Sequence, residues 1–253
     1  MHEEAAGEQL RQKSAGVRYE WGPAGASELG TSSACLVVVD VLSFTTAVSV
    51  ATGRGTVVIP HGFDDPGAAR FASAHDAELA VGRRDVSSER PWSLSPAALA
   101  IAPFTPRLVL PSPNGSAIAA VARGVVVAAC LRNASAAARW ILDSGFGTVE
   151  DPAVVIAAGE RWPDASLRPA LEDQLGAGAL LWWLRGAGCA LSPEATAAAS
   201  TYEAVADVAQ AVRDCASGLE LSASGYMADL DMAVALDADE HGPVLENGGF
   251  VAR

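Results

Sequence analysis

Asp40 ends an unbroken apolar run, Leu36-Val37-Val38-Val39, and the hydroxyl residues Ser43, Thr45 and Thr46 follow directly. A carboxylate at the end of a buried strand can ligate a hard cation or act as a nucleophile, while hydroxyls and free amides at a helix start can receive an anion. Asp40 or Ser43 could equally cap that helix. Three further stretches set polar residues after an apolar run. Leu110-Pro111-Ser112-Pro113-Asn114-Gly115-Ser116 places small hydroxyls around a tight Asn-Gly turn whose amides suit phosphate, though it also reads as an ordinary turn. In Arg132-Asn133-Ala134-Ser135, Asn133 suits a helix cap and Arg132 an anion clamp. Gly159-Glu160-Arg161-Trp162-Pro163-Asp164 leads through Ser166 and Arg168 to Glu172-Asp173, a dense patch of charge in a chain of which only 19% is charged. Glu172 and Asp173 also complement a helix dipole near its start, and neighbouring helical positions point about 100° apart, so both need not face one ion.

Taken together, these strand ends fit a Mg²⁺ site beside a phosphate pocket, because magnesium takes carboxylate and water oxygens and bridges to substrate phosphate. The expected metal ligands and catalytic groups are Asp40, Glu172 and Asp173. Thr45, Ser112, Asn114, Gly115, Ser116 and Asn133 are expected to hold the phosphate. Arg161, with Arg132 or Arg168, is expected to neutralise the remaining charge of a small anionic phosphate-ester substrate. Attack by water and attack by a carboxylate both stay open. His2, His61, His75 and His241 show no ligand spacing and are given no metal.

These residues need a scaffold that brings strand ends together. Short apolar runs at Cys35–Val39, Thr56–Ile59, Arg107–Leu110, Val125–Ala129 and Ala153–Ala157 lack polar alternation, as strands covered on both faces do. Helix-period segments lie between or after them at Thr45–Thr52, Pro66–His75, Ser116–Arg123, Ala134–Leu142 and Pro169–Leu184. Pro169 is placed in a first turn, with Leu171, Leu175, Gly178 and Trp182 on one stripe. Residues 192–235 read as mostly helical with a break at Ser217-Gly218. The alternation predicts a three-layer α/β/α fold with a largely parallel or mixed sheet, in one domain over residues 17–253 behind a mobile tail, residues 1–16. Trp182-Trp183 is read as core, with a homodimer surface as the alternative.

Composition narrows the classes further. The 253 residues carry 17 Lys and Arg against 30 Asp and Glu, a net charge of −13, and half of them are hydrophobic, enough for a sizeable core. Such a surface repels phosphate backbones and anionic lipids, which argues against nucleic-acid and membrane partners. Four widely spaced cysteines read as free thiols in a reducing, cytoplasmic compartment. The acidic N-terminus does not read as a signal peptide, and Arg123 and Arg185 interrupt the longest apolar stretches.

The segment Asp40-Val41-Leu42-Ser43-Phe44-Thr45-Thr46 is one of an ordered set of motifs. The others are Asn114-Gly115-Ser116, Asn133-Ala134-Ser135, Ala158-Gly159 with Glu172-Asp173 and Gly176-Ala177-Gly178, and Gly225-Tyr226-Met227-Ala228-Asp229. The set resembles the 2-phosphosulfolactate phosphatase family from about Asp40 to the C-terminus. The resemblance implies a three-layer α/β fold and Mg²⁺-dependent hydrolysis of the phosphate ester of a small sulfonated hydroxy acid. Ser43 stands where that family usually has Arg, Gly82-Arg83-Arg84 where it has Gly-Glu-Arg, and Ser112-Pro113-Asn114-Gly115-Ser116 where its turn is Thr-rich.

Rival chemistries lack their residues. A haloacid-dehalogenase-type phosphatase needs an acid two positions after Asp40, where Leu42 stands. A dinucleotide enzyme needs a Gly-x-Gly-x-x-Gly after a strand, and a Walker-type NTPase a loop lysine, whereas the one lysine is Lys13. A non-catalytic small-anion-binding protein on the same fold is the alternative from another class.

Overall fold

A computed structural model describes residues 9–63 and 65–253. Its strands are β1 (Val17–Trp21), β2 (Cys35–Val39), β3 (Val57–Gly62), β4 (Glu78–Leu79), β5 (Arg107–Ser112), β6 (Val125–Ala129), β7 (Ala153–Ala157), β8 (Glu160–Arg161), β9 (Leu167–Arg168), β10 (Val244–Glu246) and β11 (Gly249–Val251). Nine of them form one sheet in the order β1-β7-β2-β6-β10-β11-β3-β5-β4. The blocks β1-β7-β2-β6 and β3-β5-β4 are each internally parallel, and the antiparallel hairpin β10–β11 joins them. The sheet is therefore mixed and mostly parallel, and β8 and β9 form a separate two-stranded ribbon.

Helices cover both faces, which explains the continuous apolar strands. Val37 and Val39 of β2 pack on one side with α6 (Ala134–Asp143), α7 (Leu171–Gly186), α8 (Pro193–Ala204) and α9 (Val208–Asp214). Leu36 and Val38 face the other side, against α1 (Gly22–Leu29), α2 (Phe44–Gly53), α4 (Pro96–Ile101) and α5 (Gly115–Val121). The intervening α3 (Ala68–Ala74) packs beside β4, and α10 (Ala216–Ala223) and α11 (Met227–Ala233) follow α9. This is the three-layer α/β/α arrangement that the strand pattern predicts. Among the described residues no helix is long and apolar enough to cross a membrane.

Local readings differ in several places. The helix containing Glu172 begins at Leu171 with Ala170 as its cap residue, so Pro169 lies just outside it. Leu171 and Trp182 are not on the buried stripe: they and Trp183 are exposed, so the tryptophan pair is surface rather than core. Burial instead falls on Glu172, Asp173 and the Leu175–Leu181 stretch, because the first turn of α7 reaches the sheet end. Ser217 and Gly218 sit inside α10, and the helical breaks fall at 205–207, 215 and 224–226. Of the expected tail, residues 1–8 lie outside the described residues. Gln12 is buried, its amide donating to the Tyr19 carbonyl at 2.8 Å and accepting from the Tyr19 N–H at 3.1 Å, and so ties its segment to β1.

Candidate active site

The end of β2 is fixed by hydrogen bonds before any ligand arrives. Thr45 Oγ1 donates to the Asp40 carbonyl at 2.8 Å and accepts the Asp40 N–H at 3.0 Å, so this hydroxyl clasps the turn. Asp40 Oδ1 accepts the Phe44 N–H at 3.2 Å and Oδ2 the Gly115 N–H at 2.9 Å. Gly115 is required there: a Cβ would lie 2.3 Å from Phe44 Cδ1 and 2.9 Å from Asp40 Oδ2. Burial raises the Asp40 carboxyl to about 6, aided by the Glu172 charge and opposed by the two amides and by Arg83.

The first turn of α7 supplies two more buried carboxylates. Asp173 Oδ1 accepts the Val41 N–H and Oδ2 the Gly159 N–H, each at 2.8 Å, which staples the ends of β2 and β7 together. Gly159 holds φ +67° in that staple, a conformation favouring glycine. Burial and the Asp40 and Glu172 charges hold the Asp173 carboxyl well above the usual range. Glu172 Oε2 accepts the Cys215 thiol at 3.2 Å.

The β8–β9 ribbon presents Glu160 opposite Arg168. Asn114 Nδ2 donates to Glu160 Oε2 at 3.1 Å, so the Asn-Gly turn orients this carboxyl. Burial, then the Asp40 and Glu172 charges, push Glu160 up to about 7. A cavity of about 870 Å³ opens here, and its wall includes Glu160 and five of the chain's sixteen arginines: Arg83, Arg84, Arg90, Arg161 and Arg168. Arg168 is steadied by Ser217 Oγ at 3.0 Å and by the Trp162 ring, whose centroid is 5.9 Å from Cζ.

A model of the 2-phosphosulpholactate phosphatase family matches residues 23–248. The chain belongs to that family. No curated protein matches it. Membership assigns the chain to the phosphatases, phosphoric monoester hydrolases by reaction class. The structure brings together the two charge departures from the family pattern, since Arg83 Nη2 donates to Ser43 Oγ.

Other expected residues divide by position. Arg161 and Arg168 line the cavity. Ser116 Oγ donates to the Ser112 carbonyl, while Ser112 Oγ is buried with no partner among the described residues. The Asn133 amide is engaged by the fold: Oδ1 accepts the Cys130 N–H, and Nδ2 donates to the Ala128 and His241 carbonyls. Arg132 Nη1 donates to the Met232 carbonyl at 3.1 Å, and, like Asp40 and Glu172, Arg132 is not among the residues of the cavity wall. A residue after a strand end can turn inward as readily as toward the ligand edge, and both did. Sequence reading left Arg84, Arg90 and Glu160 out of the site. The crowding of Arg83, Arg84 and Arg90 into eight positions of a chain with 17 Lys and Arg against 30 Asp and Glu was the available signal.

Among the described residues no three His, Cys, Asp or Glu side chains form a preformed metal cage. Magnesium does not need one, since one or two carboxylates with water and substrate phosphate suffice. The donor set fits: Asp40 and Glu172 offer hard carboxylate oxygens, both buried, and the Glu172 charge disfavours ionisation of Asp40, a repulsion that a divalent cation would relieve. Asp173 accepts a backbone amide on each oxygen, as Asp40 does, and because its two amides come from the ends of β2 and β7 it also braces the backbone beside Asp40.

Proposed function

We propose that this protein is a Mg²⁺-dependent phosphatase acting on the phosphate monoester of a small acidic hydroxy acid, 2-phosphosulfolactate being the substrate its family name carries. One observation carries the reading. Glu160 lines a cavity walled by five arginines, and adjacent residues of one turn tie it to the buried Asp40: Asn114 donates to Glu160 at 3.1 Å and Gly115 to Asp40 at 2.9 Å. A polyanionic ester can enter a protein of net charge −13 only where cations are concentrated, and this cavity concentrates them.

Asp40 and Glu172 would hold Mg²⁺, which when bound neutralises a phosphoryl oxygen. The chain's own groups do the rest. The Phe44 and Gly115 amides fix the Asp40 carboxylate, and Asp173 fixes the backbone on either side of it. Arg161 and Arg168 meet the carboxylate or sulfonate of the acid. Glu160, held at Oε2 by Asn114, keeps a proton near neutral pH. The bond between phosphorus and the ester oxygen breaks as water attacks phosphorus, or as a carboxylate attacks it to form an acyl phosphate that water then hydrolyses. The ester oxygen takes the Glu160 proton, and the hydroxy acid leaves as an alcohol. The water's proton restores Glu160, and inorganic phosphate is released. The four unpaired cysteines suit a reducing, cytoplasmic setting.

Phosphate release from a panel of small phosphomonoesters, with and without Mg²⁺, tests the reading. Turnover should require Mg²⁺ and be fastest for 2-hydroxy-acid esters bearing a second anionic group. No release from any ester, with phosphate still bound, would make the protein an anion-binding relative of these phosphatases.

A further inference from the structure

The Arg83 guanidinium is held on three sides. Nε donates to Asp229 Oδ2 at 2.9 Å, Nη2 donates to Ser43 Oγ, and the Tyr226 ring centroid lies 5.6 Å from Cζ. Asp229 is itself anchored: it is 1% exposed, and Oδ1 accepts the Ser95 hydroxyl and the Ala97 N–H, the latter at 3.1 Å. It therefore ties the first turn of α11 to the start of α4 and aims Arg83 from both.

A guanidinium carries five N–H donors. Two are engaged here, and Nη1 has no protein acceptor among the described residues. Arg83 lines the cavity with its side chain 19% exposed, and its charge favours the ionised form of Asp40. Free donors on a fixed cation beside the proposed metal ligand are what an incoming oxyanion needs. Little side-chain freedom remains to be lost on binding, and hydrogen bonds from a charged donor are the strong kind.

We propose that Arg83 binds the transferred phosphoryl group itself, next to Asp40, and that Asp229 is the positioning residue that aims it. The inference rests on the phosphatase reading and adds a specific phosphate ligand, borne on the 3₁₀ segment Arg83–Asp85 rather than on the strand-end loops.

Calorimetric titration with inorganic phosphate, with and without Mg²⁺, tests it independently of turnover. Arg83→Ala should weaken phosphate binding about 10- to 100-fold, the range for losing a charge-assisted hydrogen-bonding group. Arg83→Lys should recover only part of this, since a single ammonium cannot span Asp229, Ser43 and the ligand. Asp229→Asn keeps acceptors for Ser95 and Ala97 but presents an N–H to Arg83. It should weaken phosphate binding in the wild-type background and add nothing in Arg83→Ala. Unchanged phosphate binding in Arg83→Ala, or none in the wild-type protein, overturns the proposal. Equal weakening by Asp229→Asn in both backgrounds overturns the positioning role. If Asp229→Asn does not fold, Arg83→Ala, on a partly exposed side chain, still decides the phosphate contact. A wild-type protein that binds phosphate through Arg83 yet hydrolyses no ester defeats the phosphatase reading, and with it the transfer, and leaves standing only the phosphate contact of Arg83.

Discussion

The Gly115 amide lies 2.9 Å from Asp40 Oδ2, so the loop after β5 holds the carboxylate at the end of β2. These strands belong to different blocks of the sheet, and the hairpin β10–β11 stands between the blocks. The contact is thus a long-range assembly of the site, made where no side chain larger than hydrogen fits. Gly115→Ala should push the loop away from Phe44 and Asp40 together. Overpacking of this kind costs about 1–3 kcal/mol. Thermal unfolding should register that loss, and kcat/KM should fall at least about tenfold because Asp40 loses an orienting donor. Wild-type kcat/KM in a folded Gly115→Ala protein would remove this contact from the mechanism.

Asp40 and Asp173 look alike in composition but should respond differently to the same change. Asp173 uses both oxygens to staple backbone, so Asp173→Asn turns one amide acceptor into a donor facing Val41 or Gly159. A buried unsatisfied pair of that kind costs about 1–3 kcal/mol, and the defect should appear in thermal unfolding. Asp40→Asn suffers a similar clash with the Phe44 or Gly115 amide and also loses its charge. It should lower kcat by orders of magnitude and abolish the rise in Tm on adding Mg²⁺, whereas Asp173→Asn should retain that rise. A Mg²⁺ shift in Asp40→Asn equal to wild type excludes Asp40 as a ligand.

The parts that the sequence discloses are those set by local pattern. β2, β6 and β7 lie where continuous apolar runs place them, because strands covered on both faces need no polar alternation. The C-terminal hairpin β10–β11 escaped that reading: its three-residue strands are too short to show a period. Asp40, Gly115 and Asn114 were visible as strand-end residues, but their mutual service was not, since Asn114 acts on Glu160 and Gly115 on Asp40 across long separations. Ser43 and Arg83 appeared as two unrelated departures from a family pattern, and only their contact joins them. Asn133 and Arg132 show the converse, polar residues in the right loop whose hydrogen bonds turn into the fold.

Acid–base behaviour gives a test with a definite sign. The Asp40 carboxyl is raised from 3.8 to about 6 and that of Glu160 from 4.5 to about 7, burial being the largest cause for each. A carboxyl with a raised folded pKa binds its proton more tightly in the folded state. Its stabilising contribution is complete below the unfolded value and is lost as pH rises through the folded one. Metal-free protein should therefore lose thermal stability between about pH 4 and pH 7, and Glu160→Gln should flatten the upper part of that fall. Protons and Mg²⁺ compete for Asp40, so the Tm increment from Mg²⁺ should be small near pH 5 and full near pH 8. An increment independent of pH would place the metal away from these carboxylates.

Arg161 offers the sharpest separation of substrate recognition from chemistry. It is an exposed residue of the cavity wall, and among the described residues its Nη1 approaches only the Ala165 carbonyl, at 3.4 Å. Removing it should leave folding untouched and Asp40 unmoved. Arg161→Ala should raise KM about tenfold for esters whose acid carries a carboxylate or sulfonate, the worth of one charge-assisted contact. It should change KM little for a simple alkyl phosphate, and kcat should stay near wild type for both, the pattern of a lost uniform binding interaction. Equal KM changes for charged and uncharged esters would show that Arg161 meets the phosphate instead, and no change for either would remove it from the site.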